Sequence, residues 1–416
     1  MEKIWKAISS LKLTVILLGF GVVLVFIGTV AQADEGLYNA QERYFKHWFV
    51  PYFSFFGTKV PVPMPGGYFL GTALLVNLVA AHFTRFKWGW KKSGIFLTHI
   101  GVIALLVGQL ATDLLSRETQ LRFAEGETKR YSESAMEYEL AIVTDVDADT
   151  EEVVSIPYSL IKAGEEIKHE KLPFTLKVKE LWKNTDTSFR APMQKQDKAP
   201  ITTNGVAQDF DFIQAAETKK MEEKNIPTVI VDVVAPKGDL GTWVLSGWSG
   251  DSLLVESIHS SYERSVGHDS ATRISDLLSA PQSVEVDGKT YTMSMRPARA
   301  YKPYSMTLLK TTHTVYPGTE IPKDFRSRVR IENPESKENR EVDIYMNTPL
   351  RYEGLTFYQY QMGKDELDRS RGTSTLQVVR NPGWLTPYVG CALVGIGLVV
   401  QFMIHLVGFV SKRRTA

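Results

Sequence analysis

The residue of this chain that packing alone explains least well is His99, which lies in the apolar stretch GIFLTHIGV at residues 94–102. This stretch belongs to a longer apolar segment and follows a basic loop at residues 85–92. An ionisable side chain inside a membrane helix is costly and by default marks a functional site. A neutral imidazole in such a setting is a candidate ligand of haem iron.

Two more histidines, His82 and His405, fall in other apolar stretches. With a rise of about 1.5 Å per residue, all three lie roughly 5–10 Å inside the basic ends of their helices. One interpretation is a haem clamp, in which His99 is the first choice as axial ligand and the other two are weaker candidates. In the other interpretation each histidine is structural, and its ring reaches the headgroups or bonds a backbone carbonyl. His82, three residues before Arg85, fits both interpretations equally well.

Three glycines on the same stretch as His99 are spaced seven residues apart, at positions 94, 101 and 108. Glycine has no side chain, so these positions leave room either for a bulky planar neighbour or for close approach of another helix. The pattern in one helix does not decide between the two.

Several other kinds of chemistry find no support in the sequence. The remaining histidines show no metal-ligand spacing with one another or with a cysteine; they are His47, His169, His259, His268 and His313. There is no GxSxG motif and no glycine-rich phosphate loop. The formal net charge is +1 and no basic tract lies outside the membrane flanks, so nucleic acid is not a predicted partner. We assign no catalytic residue.

Cysteine usage narrows the class further. Cys391 is the single cysteine of the chain and lies in an apolar stretch, where a thiol usually packs as a small hydrophobic group. A chain with one cysteine cannot carry a CxxCH motif, so it is not itself a c-type cytochrome.

Four stretches are apolar for about the 20 residues that a membrane span needs. We predict spans at 13–32, 67–84, 94–115 and 385–409, with a polar region between the third and the fourth. The predicted fold class is therefore a membrane protein with four transmembrane α-helices, three N-terminal and one C-terminal. The predicted domains are an N-terminal membrane region over 1–115, a large exported domain over 116–383, and a C-terminal span and tail over 384–416.

Basic residues predict how the chain is oriented. They cluster before the first span, between the second and third, and after the fourth. By the positive-inside rule these clusters are cytoplasmic, which places both termini inside and residues 116–383 outside an inner or thylakoid-type membrane. A cleaved signal peptide over 1–33 is the alternative, but its apolar run exceeds the usual 7–15 residues.

The exported domain is predicted to be mainly β, as a sandwich or an irregular barrel with few helices. Alternating apolar and polar residues indicate strands. The runs are Tyr138–Thr144, Phe174–Leu181, Thr228–Val234, Ser283–Met295, Ser305–Thr311, Arg326–Ile331, Glu341–Met346, Leu355–Gln361 and Thr373–Val379. The aromatic segment 36–57 before the second span indicates either an interfacial belt or a floor for a flat aromatic ligand.

Four motifs together resemble the ResB/CcsB family, whose members are the partners of CcsA in system II cytochrome c maturation. They are SLKLTV at 10–15, THIGV at 98–102, NTPLRYEGLTFYQ at 347–359 and LQVVRNPGW at 376–384. The resemblance extends to the order of the elements, with three spans, a large exported domain and a final span. The two C-terminal motifs are the more specific ones.

The resemblance implies a role as a non-autonomous subunit of a holocytochrome c synthase, or haem lyase. Haem b would be the transported substrate, and the partners would be a CcsA-like membrane protein, apocytochrome c and membrane lipid. His99 matches the family histidine at the start of the third span. The external haem ligands belong to CcsA, and KWGW at 87–90 is not the tryptophan-rich segment of that protein.

Two other functions remain open at this point. The chain could be a membrane-anchored scaffold that binds partner proteins and no cofactor, with every histidine structural. It could also be a b-type electron-transfer protein that holds haem between His99 and His405.

Overall fold

In the computed structural model of the protein, the described residues are 2–55, 58–85, 89–147, 150–191, 199–218, 224–319, 321–364 and 370–414. The chain forms two compact units. The helical unit comprises Met1–Ser116 with Asn381–Ala416, and the β unit comprises Arg117–Arg380.

The helical unit contains the four predicted spans. Its helices are α1 (Glu2–Ile8), α2 (Leu11–Glu35), α3 (Leu37–Ala40), α4 (Gly67–Arg85) and α5 (Ser93–Leu115), and the last helix of the chain is Thr386–Arg414. Four of these are long and apolar enough to cross a membrane: α2, α4, α5 and the last one. The predicted membrane protein, with three spans before the β region and one after it, is confirmed.

The aromatic segment between α2 and α4 folds against the helices on one side. A five-residue π-helical turn, Gln41–Phe45, follows α3, and two small antiparallel pairs come next. Their strands are β1 (Phe49–Val50), β2 (Phe53–Phe55), β3 (Thr58–Val60) and β4 (Met64–Pro65). Tyr44 and Val50 are fully buried in a core shared with α2 and α4, whereas Trp48 and Phe49 are exposed. Residues 56–57 of the predicted segment lie outside the described residues.

A polar contact joins α4 to the beginning of α2. Asn77 on α4 is buried and donates from Nδ2 to the carbonyl oxygens of Ile8, at 2.5 Å, and Ser10, at 3.2 Å. Its Oδ1 accepts a hydrogen bond from Thr14 Oγ1 at 2.6 Å. The amide therefore satisfies carbonyl groups at the end of α1, and its burial has a structural explanation.

The β unit is built around one sheet of ten strands and one of four. The first strands are β5 (Arg117–Ala124), β6 (Thr128–Asp147), β7 (Thr150–Pro157), β8 (Glu166–Ile167), β9 (Thr175–Trp182), β10 (Thr185–Phe189), β11 (Phe210–Gln214), β12 (Thr228–Ala235) and β13 (Gly238–Ser246). The later strands are β14 (Gln282–Val286), β15 (Lys289–Val315), β16 (Pro322–Asn333), β17 (Glu338–Tyr345), β18 (Leu350–Tyr352), β19 (Leu355–Lys364) and β20 (Gly372–Arg380).

The large sheet has the order β17-β16-β15-β6-β5-β20-β19-β18, with β7 on β6 and β14 on β15. The small sheet has the order β13-β12-β9-β8. Two long strands, β6 and β15, run through both halves of the β unit, and their pairing shifts register at Pro297/Arg299 and at Tyr301/Met306. The sequence pattern predicts shorter separate runs here, because it is interrupted where these irregularities fall.

The two sheets of the β unit enclose two separate hydrophobic cores. One lies between the small sheet and the first half of the large sheet, and includes Leu140, Leu176, Val231 and Met293. This half is a sandwich. The second core is enclosed by the other half of the large sheet and includes the fully buried Phe357.

The second half of the large sheet curls around its core. The Oγ of Ser327 on β16 lies 2.7 Å from that of Ser374 on β20, although the two strands are not neighbours in the sheet. Ser327 Oγ also donates to Gln359 Oε1 on β19, at 2.6 Å. Sandwich and barrel-like packing therefore occur in the same unit.

Helices cover the outer face of the small sheet, which the strand pattern does not predict. They are α6 (Gly247–Gly250), α7 (Ser252–Val266) and α8 (His268–Leu278). Asp251 caps α7 by accepting a hydrogen bond from Leu253 N at 3.0 Å, and Gly267, with φ of +83°, separates α7 from α8. Ile258 and Leu278 pack with β11 and β12 in a third core. We name the last helix of the chain, Thr386–Arg414, α9.

Candidate functional site

The structure brings His82 of α4 and His99 of α5 together. Their ring centroids are 4.9 Å apart and the ring planes are inclined at 79°, an edge-to-face arrangement. Both side chains are half-buried. His82 lies near the end of α4 and His99 near the beginning of α5, so the two helices place one imidazole each at the same end of the helical unit.

The glycines beside His99 serve close helix packing. A Cβ at Gly101 would lie 2.8 Å from Gly390 O, and one at Gly94 would lie 2.5 Å from Gly397 O. A Cβ at Gly108 would meet the side chain of Thr386 at the beginning of α9, so all three glycines face that helix. With 3.6 residues per turn, His99 lies on roughly the opposite side of α5 from this seam. Of the two uses predicted for the glycines, the described structure shows the helix contact.

The hydrogen bond of His82 defines its tautomer. His82 Nδ1 lies 3.0 Å from the carbonyl oxygen of Leu78. A carbonyl oxygen can only accept, so Nδ1 carries the proton and, in the neutral ring, Nε2 carries the lone pair. This backbone hydrogen bond is the kind of support that orients a ligating imidazole.

His99 has a buried nitrogen that nothing in the described structure satisfies. Its Nδ1 is inaccessible to solvent and has no hydrogen-bond partner among the described residues. A buried polar atom without a partner costs about 1–3 kcal/mol, and such atoms are uncommon in folded proteins. An unsatisfied imidazole nitrogen beside a second imidazole is therefore the observation that most favours a bound ligand in the helical unit.

His405 is placed differently from this pair. Its side chain is exposed on α9, and its Nε2 lies 3.0 Å from Nε2 of Gln401. Gln401 in turn accepts a hydrogen bond from Ile95 N at 3.2 Å and donates to Lys91 O at 3.3 Å. Among the described residues, the structure does not bring His405 into contact with His82 or His99.

A second pair of histidines lies in the β unit, although their spacing along the chain does not indicate a metal site. The rings of His259 on α7 and His268 on α8 are 5.1 Å apart, and His268 Nδ1 is 3.1 Å from Glu263 Oε1. Within the described ranges, no group of three His, Cys, Asp or Glu side chains could hold a metal ion. Cys391 is exposed on α9.

Charged residues at the junction of the two halves of the β unit have a structural explanation. Arg296 and Glu139 form a buried ion pair at 2.9 Å, and Glu139 also accepts a hydrogen bond from Ser155 Oγ at 2.6 Å. Nearby, burial lowers the pKa of Lys302 to about 8, while its Nζ donates to Ser132 Oγ at 2.6 Å. These contacts connect β6, β7 and β15.

Comparison with known proteins gives evidence on the family of this chain beyond the architecture and the histidine pair. Residues 282–372 match the ResB-like family. This range runs from β14 to the first residue of β20 and includes the buried Phe357. The predicted resemblance to the ResB/CcsB family is confirmed over these residues by this match, together with the similarity described next.

A stretch of 97 residues is 34% identical to Protein NrfI of Wolinella succinogenes. It covers 23% of this chain and 10% of that protein, so the chain matches about a tenth of the length of this relative.

Proposed function

We propose that this chain takes part in cytochrome c maturation by receiving haem b in its helical unit. The haem would then be passed on for attachment to the CxxCH motif of an apocytochrome c, together with a CcsA-like membrane partner. The ResB-like match supports the process, and the His82–His99 pair with its unsatisfied nitrogen supports the haem contact. Haem is the cargo in this proposal.

The residues present fit haem as cargo. His99 offers a buried nitrogen without a partner, and His82 carries its lone pair on Nε2 because Nδ1 donates to Leu78 O. A neutral imidazole is the common protein ligand of haem iron. We assign His99 as the ligand and His82 as the residue that positions it. The second axial ligand would come from the partner.

The chain is proposed to contribute by positioning rather than by acid–base catalysis. Attachment adds each cysteine thiol across a vinyl group of haem, so the reactants must be held in a defined orientation. Orientation alone can account for a large part of such a rate. A helical unit that holds haem and a β unit that presents a surface to the apocytochrome would divide this task. The chain is thus proposed as a non-autonomous subunit of a holocytochrome c synthase.

Basic residues support one orientation in the membrane. Lys6 precedes α2 and Lys12 lies in its first turn. Lys91 and Lys92 precede α5, and Arg413 lies near the end of α9. Lys87, also in the loop before α5, lies outside the described residues. With these groups in the cytoplasm, the His82–His99 pair is near the inner leaflet and the β unit is on the outer or periplasmic side.

Reporter fusions test this orientation. A fusion after Lys92 or after Thr415 is expected to be active only as a cytoplasmic reporter, and one at Gly205 only as an exported reporter. The physical reason is the cost of moving basic flanks across the membrane. A cytoplasmic signal at Gly205 would place the β unit on the side away from exported apocytochromes, which contradicts the proposal.

Deletion and complementation test the proposed process. Removing the gene is expected to abolish covalent haem in c-type cytochromes, measured by haem staining, while apocytochrome is still exported. The wild-type chain should restore the stain, and affinity purification of the chain should recover a CcsA-like protein. Normal haem staining in the deletion strain would refute the proposal.

The two alternative functions, a b-type cytochrome and a scaffold without a cofactor, each require different contacts in the structure. A b-type cytochrome that ligates haem between His99 and His405 needs those side chains to face each other, and His405 instead contacts Gln401. A cofactor-free scaffold gives no role to the unsatisfied nitrogen of His99. Neither is favoured by a specific observation.

A further inference from the structure

A cavity of about 540 Å³ lies in the helical unit at the end of α4 and α5 away from the histidine pair. It is bounded by the last turn of α2, the π-helical turn, the first turns of α4 and the last turns of α5. Small-molecule sites in proteins are typically about 300–1,000 Å³ and mostly apolar, with a few polar groups that fix orientation. The cavity meets this description, and neither the family match nor the histidine pair accounts for it.

The charges around the cavity already compensate one another. Lys46 Nζ lies 3.2 Å from Glu42 Oε2 and 3.8 Å from Asp113 Oδ1. Asp113 also accepts a hydrogen bond from the hydroxyl of Tyr68. Of these three charged groups only Lys46 and Asp113 line the cavity, so the charges of its lining balance. Because Lys46 is already paired with two carboxylates, a ligand with anionic groups would gain little attraction here.

Three amide side chains line the same cavity from three different elements. Gln32 lies on α2, Gln41 on the π-helical turn and Gln109 on α5. No hydrogen bond joins the side chain of any of them to another described residue. Each amide can donate and accept, and polar side chains in membrane helices usually bond a partner or mark a ligand site. Three such groups converging on one cavity match a ligand with uncharged oxygen atoms on its edge.

The rest of the wall is apolar or small. Leu75, Leu106 and Leu110 face the cavity, and Phe45 adds an aromatic ring. Gly71 also lines it, and a Cβ at Gly71 would meet no atom within 4 Å. The wall therefore suits a flat ring with an apolar tail.

We propose that this cavity binds a membrane quinone. The quinone class combines an uncharged ring, two carbonyl or hydroxyl oxygens and an apolar tail, and these features correspond to the amides and the leucines. Haem fits the cavity poorly, because its two propionates would meet Asp113 and a lysine, Lys46, that is already paired with carboxylates. Among the described lining residues there is also no His, Cys or Met to ligate iron. The phosphate of a phospholipid would meet the same aspartate and the same paired lysine.

Binding of tritiated ubiquinone-1 to the purified full-length chain in phosphatidylcholine nanodiscs tests the proposal. Wild type should bind saturably, at about one molecule per chain. Gly71→Leu should abolish binding, because a side chain there fills open space in the cavity without a backbone clash. Gln109→Leu should weaken it about ten-fold, the effect of losing one hydrogen bond to the ligand. Gly21→Leu is the matched control, since its Cβ also meets nothing within 4 Å but lies outside the cavity.

Several results would overturn the proposal. These are the absence of saturable ubiquinone-1 binding, binding to Gly71→Leu that equals wild type, and an equal loss in Gly21→Leu. Displacement of ubiquinone-1 by equimolar haemin or by phosphatidylglycerol would assign the cavity to an anionic ligand and would also contradict it. None of these outcomes depends on the histidine pair, so failure here is distinct from failure of the haem proposal.

Discussion

Gly101→Leu is expected to remove most of the folded protein from the membrane. A Cβ at this position would lie 2.8 Å from the carbonyl oxygen of Gly390 and 2.9 Å from the backbone nitrogen of Val394. Both are backbone atoms of α9, so α5 and α9 would have to separate along their whole contact. Overpacking typically costs about 1–3 kcal/mol and more where the neighbour is backbone, and close approach at small residues is what holds membrane helices together.

The measurement is the amount of full-length protein in purified membranes, together with its thermal unfolding in detergent. Gly395→Leu is the matched control, because it lies on α9 yet a Cβ there meets nothing within 4 Å. Wild-type abundance and melting temperature for Gly101→Leu would show that α5 and α9 do not pack through this seam.

His99→Ala is expected to abolish cytochrome c maturation while the protein stays inserted and bound to its partner. Alanine is smaller and apolar, so it is tolerated in lipid, and the change also removes the unsatisfied nitrogen of His99. In the proposed function, haem would thereby lose its ligand on one face. The readout is haem staining of c-type cytochromes in a strain that carries only the variant chain, and the expected signal is close to that of the deletion.

Imidazole and two matched histidines control this experiment. Added imidazole supplies the same nitrogen donor and is expected to restore part of the staining. His405→Ala should be mild, because that side chain is exposed and contacts Gln401. His82→Ala should be intermediate, since it removes the ring that lies against His99 without removing the proposed ligand. Unreduced staining in His99→Ala would remove this residue from the mechanism.

The spans could be predicted from the sequence because each is decided by local composition. The stretch 94–115 corresponds to Ser93–Leu115 and the stretch 67–84 to Gly67–Arg85. The first span, α2, extends beyond the predicted 13–32 at both ends, because Ser10 caps its beginning and Gly36 ends it. Cap residues are local signals too, so the true ends of this helix could have been predicted from the sequence.

The positions of strand residues could also be predicted from the sequence, whereas the continuity of a strand from one run to the next could not. The predicted runs coincide with strand residues, but Ser283–Met295, predicted as one run, is β14 and the beginning of β15 with a turn at Asp287 and Gly288 between them. Conversely, β15 continues through 27 residues where the pattern suggests separate pieces. Register shifts and a buried ion pair at Arg296 break the apolar alternation without ending the strand. What keeps such a strand continuous is its pairing with β6, a long-range contact that no short window contains.

The helices α7 and α8 were missed although local signals exist. Asp251 is a good cap, Gly267 a good stop, and Val255, Ile258 and Tyr262 recur at helical spacing. The many serines of this stretch dilute the apolar pattern, and a strand-rich neighbourhood favours the wrong assignment. Capping residues would have been the better guide.

The histidine site was predictable in its members and not in its geometry. The cost of placing an ionisable side chain in lipid identifies three residues individually: His82, His99 and His405. Which two of them meet depends on which face of α5 packs against α9. That face carries the glycines at 94, 101 and 108. Helix facing is a tertiary property, so the His82–His99 contact emerges only from the structure.

The absorption spectrum of the purified chain, isolated with its CcsA-like partner, tests the haem proposal most directly. Wild type and His405→Ala are expected to show a reduced haem b spectrum of nitrogen-ligated iron. His99→Ala, isolated in equal amount with the same partner, should lose that spectrum and recover it when imidazole is added. An unchanged haem spectrum in His99→Ala, or its loss in His405→Ala alone, would contradict the assignment of the iron ligand to His99.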